Sequence, residues 1–240
     1  AEENDIPAFI YDPVTVDEMI QLAKYTGIPE MRRRSLGHNL NMRAMAHRYA
    51  ADSGKKFEDV TVITVHMGGG TTVGVYQNGK IIDIINDEEG PFSPERAGGL
   101  PAPQVIDIAF SGEYDIKALK KKLKNSSGLQ AYLGTKDART VEKMIDDGDE
   151  NAKTVYQAMA YQLSKAIGEL ATVVNGKVDA IVLTGGIAYS KIFTDWIKER
   201  VSFIAPVVIY PGENEMDALA NGALRVLRGE EEAMTFRKNF

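Results

Sequence analysis

The chain has 240 residues, of which 44% are hydrophobic and 26% charged, enough for a buried core and ordinary for a globular protein. A formal net charge of −6 argues against a dedicated nucleic-acid binder, and the absence of cysteine excludes disulfides and thiolate metal sites. No apolar run approaches the roughly 18 residues of a membrane-spanning helix, and the first residues lack the pattern of a signal peptide, so we expect no membrane association and a cytoplasmic location.

The first elements predicted along the chain are a short strand and two helices. Residues 8–11, AFIY, have the composition of a strand. Residues 15–18 form a capping box, which predicts a helix that begins there and ends at Gly27. A second helix is predicted over residues 36–52.

An antiparallel meander is predicted next, from the segment VTVITVHMGGGTTVGVYQNGKIIDII. Its strands are predicted at 60–66, 71–77 and 80–85, and the last two are joined by an Asn78-Gly79 turn. Three consecutive glycines, 68–70, connect the first two strands. Either the connection needs positive φ angles, or an anionic group must approach its backbone closely.

The second half of the chain alternates helices and strands. The loop at 88–103, EEGPFSPERAGGLPAP, is rich in proline and glycine, and its Glu-Arg pair indicates an ordered functional loop. A long helix follows, with one apolar face made of Ala152, Val155, Met159, Leu163, Ala166, Leu170 and Val173. Two strand–turn–helix units end the chain, with turns at 184–190 and 211–217. The order predicts an α/β layered domain.

The glycine turns are each weak evidence, but their order along the chain resembles a known superfamily. Strand–glycine loop–strand–turn–strand, followed later by strand–TGG–helix, resembles the nucleotide-binding half of the actin, Hsp70 and sugar-kinase superfamily. That resemblance implies a ribonuclease H-like (actin-like ATPase) domain, in which an antiparallel meander and parallel strands are flanked by helices. Within it, VHMGGGTTVGVYQNGKIIDIIND, GPFSPERAGGLP and VDAIVLTGGIAYSK resemble segments of the acetate and butyrate kinase family, and the second is typical of its butyrate kinases.

The resemblance implies a reaction and its cofactors. Members of this family transfer the γ-phosphoryl group of ATP to a short-chain carboxylate with Mg²⁺, and they form dimers or larger homo-oligomers. Gly68, Gly69 and Gly70 are then expected to cradle phosphates. Residues 185–187, Gly185, Gly186 and Ile187, are expected to face the adenosine.

The same resemblance assigns roles to side chains. Arg96 is expected to stabilise the transferred phosphoryl group, and His38 and His66 to donate to its oxygens. Asp12 matches a family aspartate at a strand end, and Glu215 matches a glutamate beside the magnesium ion. By residue type alone, each of these has an ordinary structural alternative, and His47 is predicted to have only a packing or surface role.

The resemblance covers this chain but not a whole family member, whose first domain of roughly a hundred residues has no match here. We therefore expect residues 1–14 to be the end of an N-terminal domain, 15–212 to form the nucleotide-binding domain, and 213–240 to return to the N-terminal domain. Three alternatives stay open: a kinase for acetate, propionate or branched-chain acids, a sugar kinase that uses an aspartate as base, and a nucleotide-binding fragment or assembly unit without turnover.

Overall fold

The computed structural model describes residues 2–4 and 6–233. It contains five strands: β1 (Val62–Met67), β2 (Thr71–Gln77), β3 (Lys80–Ile85), β4 (Ala180–Gly185) and β5 (Val207–Pro211). The helices are α1 (Asn39–Asp52), α2 (Ala102–Phe110), α3 (Ile116–Asn125), α4 (Gly128–Leu133), α5 (Ala138–Asp146), α6 (Glu150–Val173), α7 (Lys191–Val201) and α8 (Glu215–Leu227). Short 3₁₀ helices lie at Glu2–Asn4, Gln21–Lys24, Phe57–Asp59 and Gly186–Tyr189.

All five strands form one mixed sheet in the order β3-β2-β1-β4-β5. β1, β2 and β3 are an antiparallel meander, whereas β1, β4 and β5 run parallel. The turn between β2 and β3 has the positive φ angles of a type I′ hairpin, 52° at Asn78 and 73° at Gly79. Because β1, β4 and β5 are parallel, the turns that follow them all lie at the same edge of the sheet.

Helices cover both faces of the sheet, so β1 and β4 are buried along their whole length. The apolar stripe of α6 packs on one face together with residues of α5 and α7. α1 packs on the other face, where Met42, Met45 and Ala46 meet Tyr76 and Ile81. Among residues 2–4 and 6–233, no helix has the length and apolar character that a bilayer crossing requires.

The strand predicted at 8–11 is wrong, since these residues have no sheet partner in the described chain. The helix predicted from the capping box at 15–18 is also wrong, and only Gln21–Lys24 is helical. The carboxylate of Glu18 does not cap a helix, because it accepts a hydrogen bond from the Ile81 amide at 2.9 Å and pairs with Arg43 at 2.6 Å. Long-range contacts with β3 and α1 therefore override the local helix signal.

Candidate active site

The three turns that follow β1, β4 and β5 meet at one edge of the sheet. His66 in β1 pairs with Thr184 in β4, and Gly185 bonds to Gly212 in both directions, at 3.0 and 3.2 Å. Beside these turns lies a cleft of about 580 Å³. Its lining comes from all three turns, from the loop at 88–103 and from residues 136–142 at and before the start of α5: Gly68, Gly69, Pro94, Glu95, Lys136, Asp137, Ala138, Arg139, Glu142, Gly186, Ile187, Tyr189, Ser190 and Glu213.

The glycines at 68–70 are needed for close approach and not for turn geometry, because none of them has a positive φ angle. A Cβ atom on the first would lie 3.1 Å from Nε2 of His66 and 3.3 Å from Oε1 of Glu213. On the second it would lie 3.1 Å from Oε1 of Glu95, and on the third 2.8 Å from Cζ of Arg96. The missing side chains therefore leave room for four functional groups to lie against the backbone.

The second glycine turn combines a constrained residue with an open one. Gly185 has φ 90° and ψ 176°, a region open essentially to glycine alone, and a Cβ there would collide with the carbonyl oxygen of Met67. Gly186 has no atom near its Cβ position and lines the cleft. The first glycine lets β4 approach β1, and the second leaves space for a ligand.

Two histidine rings stack between the glycine loop and α1. The centroids of His38 and His66 are 4.0 Å apart, and the ring planes differ by 9°. Nδ1 of His38 lies 2.8 Å from the hydroxyl of Thr72. Burial lowers the pKa of His38, as does the positive charge of Arg96. Burial, with a smaller contribution from His38, lowers the pKa of His66 to about 3, so both rings are neutral at pH 7.

The ring of His66 has a polar neighbour at each nitrogen. Nδ1 lies 3.2 Å from Oδ1 of Asn41, and Nε2 lies 3.5 Å from Oε1 of Glu213. An amide oxygen only accepts hydrogen bonds, so in this orientation of Asn41 the proton of the neutral ring is on Nδ1 and is donated to Asn41. Nε2 faces Glu213 and Gly68, both of which line the cleft.

Arg96 lies flat against the glycine loop at the edge of the histidine pair. Its guanidinium forms an ion pair with Asp87 and not with the neighbouring Glu95. Nε of Arg96 is buried and has no partner within residues 2–4 and 6–233. Burial lowers the pKa of this guanidinium, which stays charged because the ordinary value is far above neutrality. The side chain is thus a cation with an unused donor next to Gly70.

The loop that carries Arg96 is ordered by hydrogen bonds from several elements. Ser93 donates to the Gly69 carbonyl at 2.7 Å, which ties the loop directly to the glycine turn. The Phe92 amide donates to Gln162 of α6 at 3.2 Å, and the Ser127 amide before α4 donates to the Glu95 carbonyl at 3.1 Å. The interpretation of 88–103 as an ordered loop is therefore confirmed for its central part.

Asp12 lies in a different cluster from the other predicted catalytic residues. It has a positive φ of 42° and forms a buried ion pair with Arg43 at 2.8 Å. Burial raises its pKa to about 6 against the opposing charge of Arg43, and its other charged neighbours are Glu18 and Glu231. None of these residues lines the cleft. The structure thus places Asp12 with Arg43 and does not bring it together with His38, His66 and Arg96, which lie at the glycine loop.

The carboxylate that reaches the site from the third turn is Glu213, which sequence reasoning missed. It faces His66 and Gly68, whereas Glu215 begins α8 and does not line the cleft. No group of three or more histidine or acidic side chains suited to a metal is present among the described residues. His47 packs against Phe57 with ring centroids 4.0 Å apart and planes tilted by 36°, as expected for a packing role.

Comparisons with known proteins agree with this architecture. The sequence profile of the acetokinase family matches residues 28–201. Butyrate kinase 2 of Clostridium acetobutylicum is 52% identical over 239 residues, which are 99% of this chain and 67% of that protein.

Two solved structures share the fold, which confirms the predicted fold class. The acetate kinase of Porphyromonas gingivalis superposes with a TM-score of 0.82 at 19% identity, over 91% of this chain and 63% of that one. A propionate kinase from Francisella tularensis subsp. tularensis SCHU S4 gives 0.75 at 18% identity, over 84% of this chain and 60% of that one. The chain therefore spans between 60% and 67% of the lengths of these three proteins.

Proposed function

The chain belongs to the acetokinase family, as its motifs predicted, and from this premise we propose that it acts as part of a carboxylate kinase. The proposed reaction converts butanoate and ATP to butanoyl phosphate and ADP. The observation that carries the proposal is the 52% identity to a butyrate kinase over 99% of this chain. The geometry of the cleft supplies the chemical argument.

The reaction needs positive charge more than it needs a base. A short-chain carboxylic acid is already ionised at pH 7, so its attacking oxygen requires no deprotonation. The main obstacle is repulsion between this carboxylate and the phosphates, so alignment and charge neutralisation supply the catalysis. We assign the second task to Arg96, whose planar guanidinium suits phosphoryl oxygens and whose buried Nε lacks a partner among the described residues.

The stacked histidines are proposed to donate hydrogen bonds to the same phosphoryl oxygens. Because both rings are neutral at pH 7, donors on them add no charge beside Arg96. For His66 to donate through Nε2, the Asn41 amide would turn over, so that its nitrogen donates to Nδ1. For His38, the hydroxyl of Thr72 is the partner of Nδ1. Donors held in this way would stabilise the negative charge that develops on the phosphoryl group, with little reorganisation during the reaction.

The cleft is proposed to bind ATP, with its phosphates at 68–70 and its adenosine beside the second turn at 185–187. The residues present fit a magnesium ion in the way such ions usually bind, through one or two carboxylates and the substrate phosphates. Glu213 is the carboxylate in place for this role, and we assign it there instead of Glu215. When bound, Mg²⁺ would neutralise part of the phosphate charge.

The division into domains stays a proposal. Residues 1–14 and the segment 213–240 are proposed to contact a further part of the enzyme; 234–240 lie outside the described residues. Large exposed apolar side chains support this proposal, for example Ile10 at 89% and Met216 at 78% exposure. Asp12 would join the catalytic groups only if residues 6–14 change their position in such a complex. Assembly into homo-oligomers is a further proposal.

The test is acyl phosphate formation, trapped as the hydroxamate, from MgATP and butanoate. The parent chain is expected to form butanoyl hydroxamate, and Arg96→Ala to lose at least about 100-fold in kcat, as for removal of a transition-state donor. Arg200→Ala, a substitution of an exposed arginine on α7, is the matched control and keeps parental activity. Acetate, propionate and branched acids in parallel give the preferred chain length.

If a folded parent sample forms no product with any of these acids, the proposal fails for this chain on its own. Nucleotide binding without turnover would then favour the alternative of a nucleotide-binding part that needs the rest of a longer enzyme. Glucose phosphorylation in place of hydroxamate formation would favour the sugar-kinase alternative.

A further inference from the structure

A carboxylate lies at the phosphate end of the cleft. Oε1 of Glu95 packs against Gly69, at 3.1 Å from the position that a Cβ atom would take there. Its other oxygen, Oε2, accepts a hydrogen bond from Nζ of Lys136 at 2.6 Å. The Glu95 side chain is 20% exposed and that of Lys136 is 61% exposed, so the carboxylate is the deeper partner.

The charges that line the cleft are mostly negative. Glu95, Asp137, Glu142 and Glu213 contribute carboxylates, and the cations are Lys136 and Arg139. Arg139 is held by Asp137 through bonds of 2.8 and 3.0 Å and is 90% exposed at its side chain. Of these two cations, Lys136 is the one whose partner, Glu95, lies against the glycine loop. A polyphosphate bound against the glycine loop would lie beside the Glu95 carboxylate, and two like charges repel at short distance.

We propose that Lys136 binds a phosphate group of the nucleotide. Without nucleotide, the ammonium group of Lys136 pairs with the Glu95 carboxylate at Gly69, and a phosphate replaces that carboxylate when the nucleotide binds. This inference rests on the proposed function, since it deepens the assignment of the cleft to ATP. The exchange breaks one ion pair and forms another, with no covalent step. An ammonium group on a flexible stem suits it, because its three donors can turn from a carboxylate to a phosphate without a fixed fork geometry.

The pairing makes two predictions of opposite sign. Lys136→Gln removes the cation and is expected to weaken MgADP binding about tenfold, the size of one charge-assisted phosphate contact. Glu95→Gln removes the competing anion and is expected to strengthen MgADP binding about threefold, by releasing Lys136 and reducing repulsion. An ion pair with only a structural role would make both variants weaker, or change neither.

Equilibrium binding measured by isothermal titration calorimetry tests this without requiring turnover. The titrants are MgADP, which carries phosphates, and adenosine, which carries none and is expected to bind all variants equally. Lys143→Gln and Glu88→Gln are matched controls. Lys143 of α5 forms an equally short 2.6 Å pair with Asp147, and Glu88, which is in the same loop as Glu95, pairs with Lys124 of α3. Neither control residue lines the cleft, so both variants are expected to keep parental affinity.

Each outcome decides the matter. Weaker binding in Lys136→Gln together with tighter binding in Glu95→Gln, for MgADP only, supports the exchange. If Lys136→Gln keeps the parental affinity for MgADP, or if both variants lose affinity equally, the exchange is overturned. The proposal that the cleft binds nucleotide is not affected by that result. If parent and controls bind neither MgADP nor adenosine, the proposed function falls and this inference falls with it.

Discussion

At the level of single residues, burial decides which groups of the site carry charge. His38 and His66 lie in the same stack, and both have lowered pKa values because the charged form of each would lose its hydration. Arg96 is half-buried beside them and keeps its charge, since its ordinary pKa is so high that burial does not neutralise it. The cluster therefore holds one cation and two neutral imidazole rings.

The buried histidine predicts how stability depends on pH. The pKa of His66 is about 3 in the folded chain and about 6.5 unfolded, so the unfolded chain binds more protons between these values. The stabilisation is complete above pH 6.5 and is lost as the pH falls towards 3. Urea unfolding at pH 7 and pH 5 is expected to show a smaller drop in unfolding free energy for His66→Gln than for the parent.

Lys153→Gln, which changes an exposed side chain on α6, serves as the control and is expected to keep the parental drop. An unchanged drop in His66→Gln would mean that other groups cause the acid sensitivity. His47 is one such group, since burial lowers its pKa to about 4.

At the level of elements, the glycines of the two turns do different work. Gly185 permits a backbone conformation and a strand approach that side chains forbid, while the glycines at 68–70 have ordinary φ angles and leave room for neighbouring side chains. Substituting the first kind strains the backbone. A side chain at 68–70 would displace a functional group, but the backbone there is compatible with any residue.

A pair of adjacent substitutions tests the backbone constraint at Gly185. Gly185→Ala is expected to lower the unfolding free energy by at least about 2 kcal/mol, because it combines a glycine-only conformation with a clash against Met67. Gly186→Ala meets no atom within 4 Å and has no positive φ, so its unfolding free energy stays near the parental value. Chemical denaturation of both variants measures this difference, and equal losses would contradict it.

At the level of the whole molecule, the cleft joins parts of the chain that are far apart in sequence. The glycine loop at 68–70, the start of α5 and the turns after β4 and β5 all contribute to its lining. A ligand bound there contacts segments that separate on unfolding. Ligand binding is therefore coupled to the global stability of the chain.

This coupling predicts a thermal shift with nucleotide. At a MgADP concentration 100 times its Kd, the unfolding free energy is expected to rise by about 2.7 kcal/mol. For a chain of this size that corresponds to roughly 5–10 °C in Tm. Differential scanning fluorimetry measures it, with nucleotide-free Mg²⁺ buffer and adenosine as references. A Tm unchanged by MgADP at any concentration would show that the cleft binds no nucleotide.

The amino-acid sequence by itself determined the elements whose signals are local. β2 and β3 have the predicted bounds, and Asn78-Gly79 forms their turn, because strand alternation and turn chemistry act over a few residues. The apolar stripe of α6 is buried as its helical spacing predicts, except that Val173 at its end is only partly buried. The family motifs also predicted site roles for Arg96, His38 and His66, and the fold brings these three side chains together.

Only the tertiary structure decided the features that depend on distant partners. The helix signal at 15–18 fails because Glu18 bonds to Ile81 and Arg43, and no local pattern reveals those contacts. Glu213 and not Glu215 reaches the cleft, since the direction of the chain between β5 and α8 sets which carboxylate faces His66. The purpose of the glycines at 68–70 also appears only when the side chains packed against them are known. Such contacts join residues far apart in sequence, and their geometry is set by packing and not by local propensity.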